Sequence, residues 1–144
     1  MIYSTDTGDV IDLAEGGEAQ FSPDGKWIAH ISQTSGLLVE RANGTGGRIQ
    51  IAIAGGSQAR WSHDGKRLFY IQPDRKLMAT EFDAANGTAS TPRVVFQTHV
   101  IAPRLVLLQY DVASDGKFLI NSFPTDASTP LTLLTGWTTL LKTH

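Results

Sequence analysis

The residues of this 144-residue chain that could do chemistry include aspartates that recur beside glycine at intervals of roughly 40 to 50 residues. Carboxylates act as general acids and bases, or hold calcium, when a fold brings them together. In equivalent turns of a repeated unit they would instead lie well apart, each stabilising its own turn. The sequence therefore predicts structural roles for these turn residues, which are Asp24, Gly25, Asp64, Gly65, Asp115 and Gly116.

A second candidate is the triplet Asp6-Thr7-Gly8, which matches the Asp-Thr-Gly of aspartic proteases. A chain with one triplet would need a dimer, so that two carboxylates share one proton. The same residue types are natural turn formers, and a lone triplet is a weak motif. With Asp9 and Asp12, Asp6 could also hold calcium, although carboxylates on a hairpin are usually just solvated. We interpret the segment as a turn between two short strands.

Other catalytic and metal-binding patterns are missing from the sequence. The histidines form no zinc-binding pair, and we expect each at a surface or sheet edge; they are His30, His63, His99 and His144. The chain has no Gly-x-Ser-x-Gly elbow, no phosphate-binding loop and no cysteine. The sequence thus predicts that the protein is not an enzyme and has no catalytic residue, metal or cofactor.

Composition and charge exclude further classes of protein. With 41% hydrophobic residues, the chain is predicted to fold. Its net charge is -2, and its 12 lysines and arginines are scattered, so we expect no nucleic-acid partner. The first residues lack the features of a signal peptide, and the longest apolar run, 105–108, is too short to cross a membrane. We expect no membrane insertion; the compartment stays open, with the periplasm an alternative for a longer parent protein.

The carboxylate turns belong to a hairpin unit that occurs three times, at Phe21–Ala29, Trp61–Phe69 and Val112–Ile120. In each unit an apolar strand leads into an Asp-Gly-Lys turn and a second apolar strand leaves it. Gly25 supplies the positive φ that a type I turn followed by a bulge requires. No segment has a helical apolar period, so we expect an all-β chain. A period of roughly 40–45 residues is typical of a four-stranded β-propeller blade.

The hairpin at Phe21–Lys26, Phe-Ser-Pro-Asp-Gly-Lys, resembles the hallmark of the TolB-type, WD-repeat-like propeller family. The second copy departs from the motif at Trp61 and His63, and the third at Val112 and Ala113. The segment 131–137 is similar to the last strand of propellers attached to some bacterial serine/threonine kinases and sensors. The resemblance implies a partial β-propeller of about three four-stranded antiparallel blades.

The repeats divide the single domain 1–144 as follows: 1–15 forms outer strands of a shared blade, 16–54 a blade, 55–104 a blade with an insertion, and 105–144 a partial last blade. Propellers typically have 4–8 blades. We therefore expect the chain either to be the C-terminal half of a longer propeller or to close as a six-bladed ring in a homodimer.

The resemblance implies a non-enzymatic binding or scaffold module with a protein or peptide partner. The alternative is an accessory propeller that gates access to a prolyl-oligopeptidase-like hydrolase. Because the turns are repeated for structural reasons, any binding site is expected where the repeats differ. The candidates are Arg93, His99 and Arg104, in the insertion at 86–109.

Overall fold

The computed structural model describes residues 2–3, 8, 10–11, 16–53, 55–101 and 108–122, and every regular element in these ranges is a β-strand. All strand pairs there are antiparallel. The all-β, antiparallel part of the predicted fold class is therefore confirmed. None of the described sheets closes on itself, so the number of blades and the ring remain predictions.

Two short hairpins and two larger sheets follow one another along the chain. The first hairpin pairs β1 (Ile2–Tyr3) with β2 (Val10–Ile11). The first sheet has four strands in chain order: β3 (Gly16–Phe21), β4 (Trp27–Ser32), β5 (Gly36–Arg41) and β6 (Ile49–Ala52). It lies within the segment 16–54.

The second sheet repeats this up-and-down order within the segment 55–104. It consists of β7 (Ser57–Trp61), β8 (Arg67–Ile71), β9 (Lys76–Asp83), β10 (Thr88–Ala89) and β11 (Arg93–Gln97). Both β10 and β11 pair with β9, at opposite ends of that long strand. A second hairpin follows, formed by β12 (Tyr110–Val112) and β13 (Phe118–Ile120). Residues 130–137, expected to form a further strand, lie outside the described residues.

The two sheets pack face to face through a core of buried aromatic and aliphatic side chains. Phe82 lies between two tryptophans, with its ring centroid 5.1 Å from that of Trp27 and 5.1 Å from that of Trp61. Both contacts are edge-to-face, the geometry that aromatic rings favour. A second core lies between the second sheet and the last hairpin, where Phe69 and Phe118 make a similar contact at 5.0 Å. The hairpin units are thus layered one after another.

Hydrogen bonds of the Ser22 side chain, which we call the serine clip, close the first repeated hairpin. The Ser22 hydroxyl accepts a hydrogen bond from Trp27 N at 3.0 Å and donates one to Asp24 Oδ1 at 2.6 Å. Gly25, with φ of 69°, donates from its backbone to Ser22 O. The clip supplies an acceptor for a backbone N–H that the wide turn would otherwise leave without one. Ser62 repeats these contacts in the second hairpin.

The third hairpin has a different register from the other two. The cross-strand pairs nearest the turns are Phe21 with Ile28, Trp61 with Leu68, and Val112 with Phe118. Ala113 replaces the clip serine, and the turn closes one residue earlier, through the bond from Ala113 N to Lys117 O. A slip of one residue moves every side chain of a strand to the opposite face. Leu119 therefore lies opposite Asp111, on the face that points away from the second sheet, and is 77% exposed.

Within the described residues no helix is long and apolar enough to span a membrane.

Candidate functional site

The carboxylates of the repeated turns are exposed and bonded within their own turns. The hydrogen bond from the Ser22 hydroxyl, followed by that from Lys26 N, holds the pKa of Asp24 below its ordinary value. The same arrangement lowers the pKa of Asp64. In the third turn the Lys117 ammonium, 2.7 Å from Asp115 Oδ2, takes the part of the missing serine and lowers the pKa of Asp115. Each carboxylate is therefore engaged by hydrogen bonds or an ion pair within its own turn.

Of the residues predicted to bind a partner, the structure describes Arg93 and His99, which do not line the same groove. Arg93 is exposed and pairs with Glu81, Nη2 to Oε1 at 3.4 Å, while Arg67 approaches the same carboxylate at 3.0 Å. Arg93 also lines a groove between the second sheet and the last hairpin, and His99 does not line that groove. Arg104 lies outside the described residues, as do Asp6, Thr7, Asp9, Asp12 and His144. Whether Arg93 and His99 bind a partner stays a prediction.

His30 is buried, which corrects the expectation of a surface or edge position. It is 2% exposed, and its Nε2 lies 3.1 Å from Glu40 Oε1 on the neighbouring strand β5. Arg48 Nε approaches the other oxygen of Glu40 at 3.3 Å. Both faces of β4 are covered, so strand alternation does not carry His30 to solvent. Burial lowers the pKa of His30, against the opposing effect of Glu40.

A cavity of about 500 Å³ lies where the first strands of the three repeats approach one another. Its lining comprises Gln20, Arg60, Leu108, Gln109, Tyr110, Asp111, Leu119 and Asn121. Gln20, Arg60 and Asp111 hold the same place in the three repeats, directly before the first residue of each hairpin motif. Strand pairing within each unit thus delivers three different polar side chains to one cavity.

The central charged pair of this cavity is Arg60 and Asp111. Arg60 Nε lies 3.9 Å from Asp111 Oδ1, and the Arg60 side chain is 14% exposed, whereas that of Asp111 is 76% exposed. Arg60 Nη1 donates to Ala59 O at 2.9 Å, and Asp111 Oδ1 accepts from Val112 N at 2.9 Å. These bonds hold the guanidinium against the sheet and leave the carboxylate accessible.

Tyr110, a further residue of the lining, carries a buried hydroxyl. It is 4% exposed, and within the described residues its hydroxyl has no hydrogen-bond partner. Burial, the largest influence, raises the pKa of Tyr110, so the phenol stays protonated at neutral pH. A buried hydroxyl without a partner is costly to the folded state.

A relay of side chains bonded to backbone groups sets the first strands side by side. Glu18 Oε2 accepts from Gln58 N, and Gln58 Oε1 accepts from Gln109 N at 2.7 Å. Glu18 and Gln58 have φ of 53° and 56°, at bulges of β3 and β7. Because a bulge removes a backbone group from its own ladder, the neighbouring unit must supply the partner. The relay therefore fixes the spacing across the cavity.

Sequence reasoning missed Arg60, Tyr110 and Asp111. A signal was present, since the residue before each hairpin motif is polar and differs among the repeats: Gln20, Arg60 and Asp111. Chemically, the cavity offers an accessible carboxylate that can act as a base and a guanidinium that can stabilise negative charge on oxygen. Within the described residues, no three His, Cys, Asp or Glu side chains are placed to hold a metal ion.

Neither the models of protein families nor the curated proteins include a match to this chain, so the TolB-type resemblance stays a prediction. Among solved structures, the chain is similar to a protein of Bacteroides uniformis with the provisional name 6-phosphogluconolactonase. The identity is 20% and the TM-score 0.50, and the match covers 72% of this chain and 32% of the other. The chain therefore spans about a third of that neighbour's length. At this identity the likeness shows the fold.

The name of this neighbour is that of an enzyme, and it overturns two predictions made from the sequence. The prediction of a non-enzymatic binding or scaffold module is wrong, and so is the prediction that the protein is not an enzyme. The first rested on the resemblance to TolB-type propellers, and the second on the lack of a linear catalytic motif. Such a motif is not required when the polar residues of a site come from separate strands, as Arg60 and Asp111 do.

Proposed function

We propose that the chain is part of a β-propeller hydrolase that opens a cyclic ester, a lactone, in the cavity at Arg60 and Asp111. The observation that carries the proposal is the accessible Asp111 carboxylate, held 3.9 Å from a guanidinium inside a cavity of about 500 Å³. The enzymatic name of the structural neighbour supports the choice of a lactone.

The reaction uses only residues of this cavity and water. Asp111 takes a proton from a water molecule, whose oxygen attacks the carbonyl carbon of the lactone. Arg60 stabilises the oxyanion that forms, because a guanidinium in a partly dry site interacts strongly with developing negative charge. The bond between the carbonyl carbon and the ring oxygen then breaks, and the proton on Asp111 passes to that oxygen. Water and lactone are consumed, and one hydroxy acid is released.

The experiment measures acid release from simple γ- and δ-lactones by pH-stat titration, with spontaneous hydrolysis subtracted. Asp111→Asn removes the base and is expected to lower kcat by about 100-fold or more, since general base catalysis contributes roughly 10² to 10⁴. Asp115→Asn is the matched control, because Asp115 is an exposed carboxylate outside the cavity. Circular dichroism and thermal melting establish that both variants fold. Equal activity of Asp111→Asn and the unmodified chain would falsify the proposal.

The second part of the proposal concerns the ring to which the described sheets would belong. Two sheets and a hairpin, packed in chain order, are arranged as successive blades would be. We propose that further blades complete the ring, supplied by a second copy or by a longer chain. Light scattering at several concentrations separates the two sources. A mass of one chain at every concentration excludes the two-copy ring, and a mass of two chains supports it.

A further inference from the structure

The two described contacts between successive hairpin units use the same pair of positions. The first position lies opposite the residue before each hairpin motif and holds Ala29 and Phe69. The second position is the first residue of the following motif and holds Trp61 and Val112. Ala29 shares the first core with Trp61, and Phe69 shares the second core with Val112. Each unit thus buries its first position against the second position of the next unit.

Leu119 and Phe21 hold the two positions that this series leaves open. Leu119 lies opposite Asp111 in the last hairpin and is 77% exposed. Phe21 begins the first motif and is 51% exposed, whereas its counterpart Trp61 is 6% exposed. Large apolar side chains exposed at both ends of a stacked series indicate surfaces that bind another protein unit.

The polar contacts between the units follow the same order. Gln20 Oε1 accepts a hydrogen bond from Trp61 N at 3.3 Å, and Arg60 Nε lies 3.9 Å from Asp111 Oδ1. Asp111 is the third residue of this series, and its side chain is 76% exposed. Because Ser22 N donates to Trp27 O, the alternation of an antiparallel ladder turns the preceding N–H, that of Phe21, away from β4. One open end therefore offers an acceptor and the other a donor.

We infer that a second copy of this chain fills both open positions through a head-to-tail contact. The last hairpin of one copy lies on β3 of the other, with Leu119 against Phe21. One oxygen of Asp111 accepts a hydrogen bond from Phe21 N of the second copy, and the other oxygen stays available to water. A second copy fits because both complementary ends belong to this same chain. The contact closes the open side of the Arg60–Asp111 cavity, so the site is incomplete in a single chain.

This inference rests on the ring of the proposed function and names a second copy as the source of its further units. A head-to-tail contact gives a closed ring when the rotation between copies closes. Two such contacts, one at each end of each chain, close the ring with two copies.

Light scattering of the full chain tests the contact. We expect a mass of two chains, which Leu119→Asp and Phe21→Asp each shift toward one chain at the same concentration, because a carboxylate buried in an apolar contact is costly. Ile53→Asp is the matched control, because Ile53 is exposed and holds neither position of the series. Circular dichroism establishes that the variants fold. A mass of one chain at every concentration, or a mass of two chains that Leu119→Asp does not lower, would overturn the inference.

Cross-linking tests the head-to-tail direction, since the chain has no cysteine of its own. With a short bismaleimide, a mixture of Phe21→Cys and Leu119→Cys chains is expected to give a covalent pair, and Leu119→Cys alone is expected to give little. Efficient cross-linking of Leu119→Cys alone would indicate a contact between like faces and would contradict the inference.

Thiol labelling of Leu119→Cys follows the same contact as the chain concentration is varied. In dilute solution, where single chains prevail, the thiol is expected to react freely, and its labelling should slow as the copies associate. Labelling at one rate over the concentrations that give a mass of two chains would show that Leu119 stays uncovered.

None of these measurements involves a lactone, so the contact and the proposed reaction can fail separately. A mass of two chains with cross-linking between Phe21→Cys and Leu119→Cys, together with no lactone hydrolysis, supports the contact and rejects the reaction. Hydrolysis by a chain whose mass is that of one copy supports the reaction and rejects the contact.

Discussion

Leu68 and Leu119 occupy the same position of the repeated hairpin motif, but Leu68 is fully buried and Leu119 is 77% exposed. Leu68 pairs with Trp61, whereas Leu119 pairs with Asp111 because the third turn is one residue tighter. The turn tightens where Ala113 stands in place of the clip serine. Leu119 therefore takes the place opposite Asp111 that Phe69 takes opposite Arg60, on the face that points away from the preceding sheet.

The exposure of Leu119 can be tested by thiol labelling, since the chain has no cysteine of its own. Leu119→Cys is expected to react with a thiol reagent at nearly the rate of a free thiol. Leu68→Cys reacts only through local opening and is expected to be slower by more than about tenfold. Equal rates would show that the third hairpin shares the register of the other two.

Removal of the clip hydroxyl is expected to destabilise the first sheet. Ser22→Ala deprives the buried Trp27 N–H of its acceptor and should lower the free energy of unfolding by about 1–3 kcal/mol. Urea denaturation measures this loss. Ser114→Ala serves as the control, because Ser114 is exposed in the third turn. A loss for Ser22→Ala no larger than for Ser114→Ala would contradict the clip.

Two glycines with similar backbone conformation are expected to differ in their tolerance of alanine. Gly25 has φ of 69°, and a Cβ added there would meet open space, so Gly25→Ala should cost only the conformational penalty, about 1–2 kcal/mol. Gly36 has φ of 73°, and its Cβ would lie 2.1 Å from Ala52 O. Gly36→Ala should therefore lower the thermal midpoint clearly more than Gly25→Ala. The opposite order would mean that β6 moves away from the added methyl group without a loss of stability.

Stability should fall between neutral pH and pH 5 because of His30. Its folded-state pKa is lowered by burial, so the unfolded chain binds the proton more readily. The stabilising contribution is complete above the unfolded pKa of about 6.5 and is lost as the pH falls toward the folded pKa. The loss reaches about 1.4 kcal/mol for each unit of pKa depression.

His30→Gln should remove this part of the pH dependence, as followed by urea denaturation at several pH values. Glu40 and Arg48, the charged neighbours of His30, stay in place in that variant. The lowered pKa values of the turn aspartates act below about pH 4 and leave this window untouched. If the free energy of unfolding of His30→Gln depends on pH as steeply as that of the unmodified chain, other groups cause the pH dependence.

The relay between the first strands predicts a difference between two substitutions of Gln58. Gln58→Leu leaves the Gln109 N–H without its acceptor at a buried position and should destabilise the chain by about 1–3 kcal/mol. Gln58→Glu keeps an acceptor oxygen, as Glu18 does at the equivalent position, and should retain more of the stability. Lactone hydrolysis should fall with Gln58→Leu, since the relay sets the spacing around Arg60.

The repeated hairpins were predictable because their turns are encoded locally. Asp24 and Gly25 act through hydrogen bonds to residues only a few positions away. The alternation of apolar residues along a strand can be read directly from the sequence. The burial of His30 was not predictable, because it depends on Glu40 from the next strand and on both faces of the sheet being covered. Arg60 and Asp111 were missed for the same reason, since they meet only across neighbouring units.

The amino-acid sequence alone predicts an all-β fold, which the described residues have, and it locates the hairpin turns and the residues that repeat. These properties follow from short-range sterics and hydrogen bonds. Only the tertiary structure decided that Arg60, Tyr110 and Asp111 share a cavity and that Leu119 faces solvent. The physical reason is that strand register and the packing of successive units set these distances, and a one-residue change in one turn reverses which face a side chain occupies.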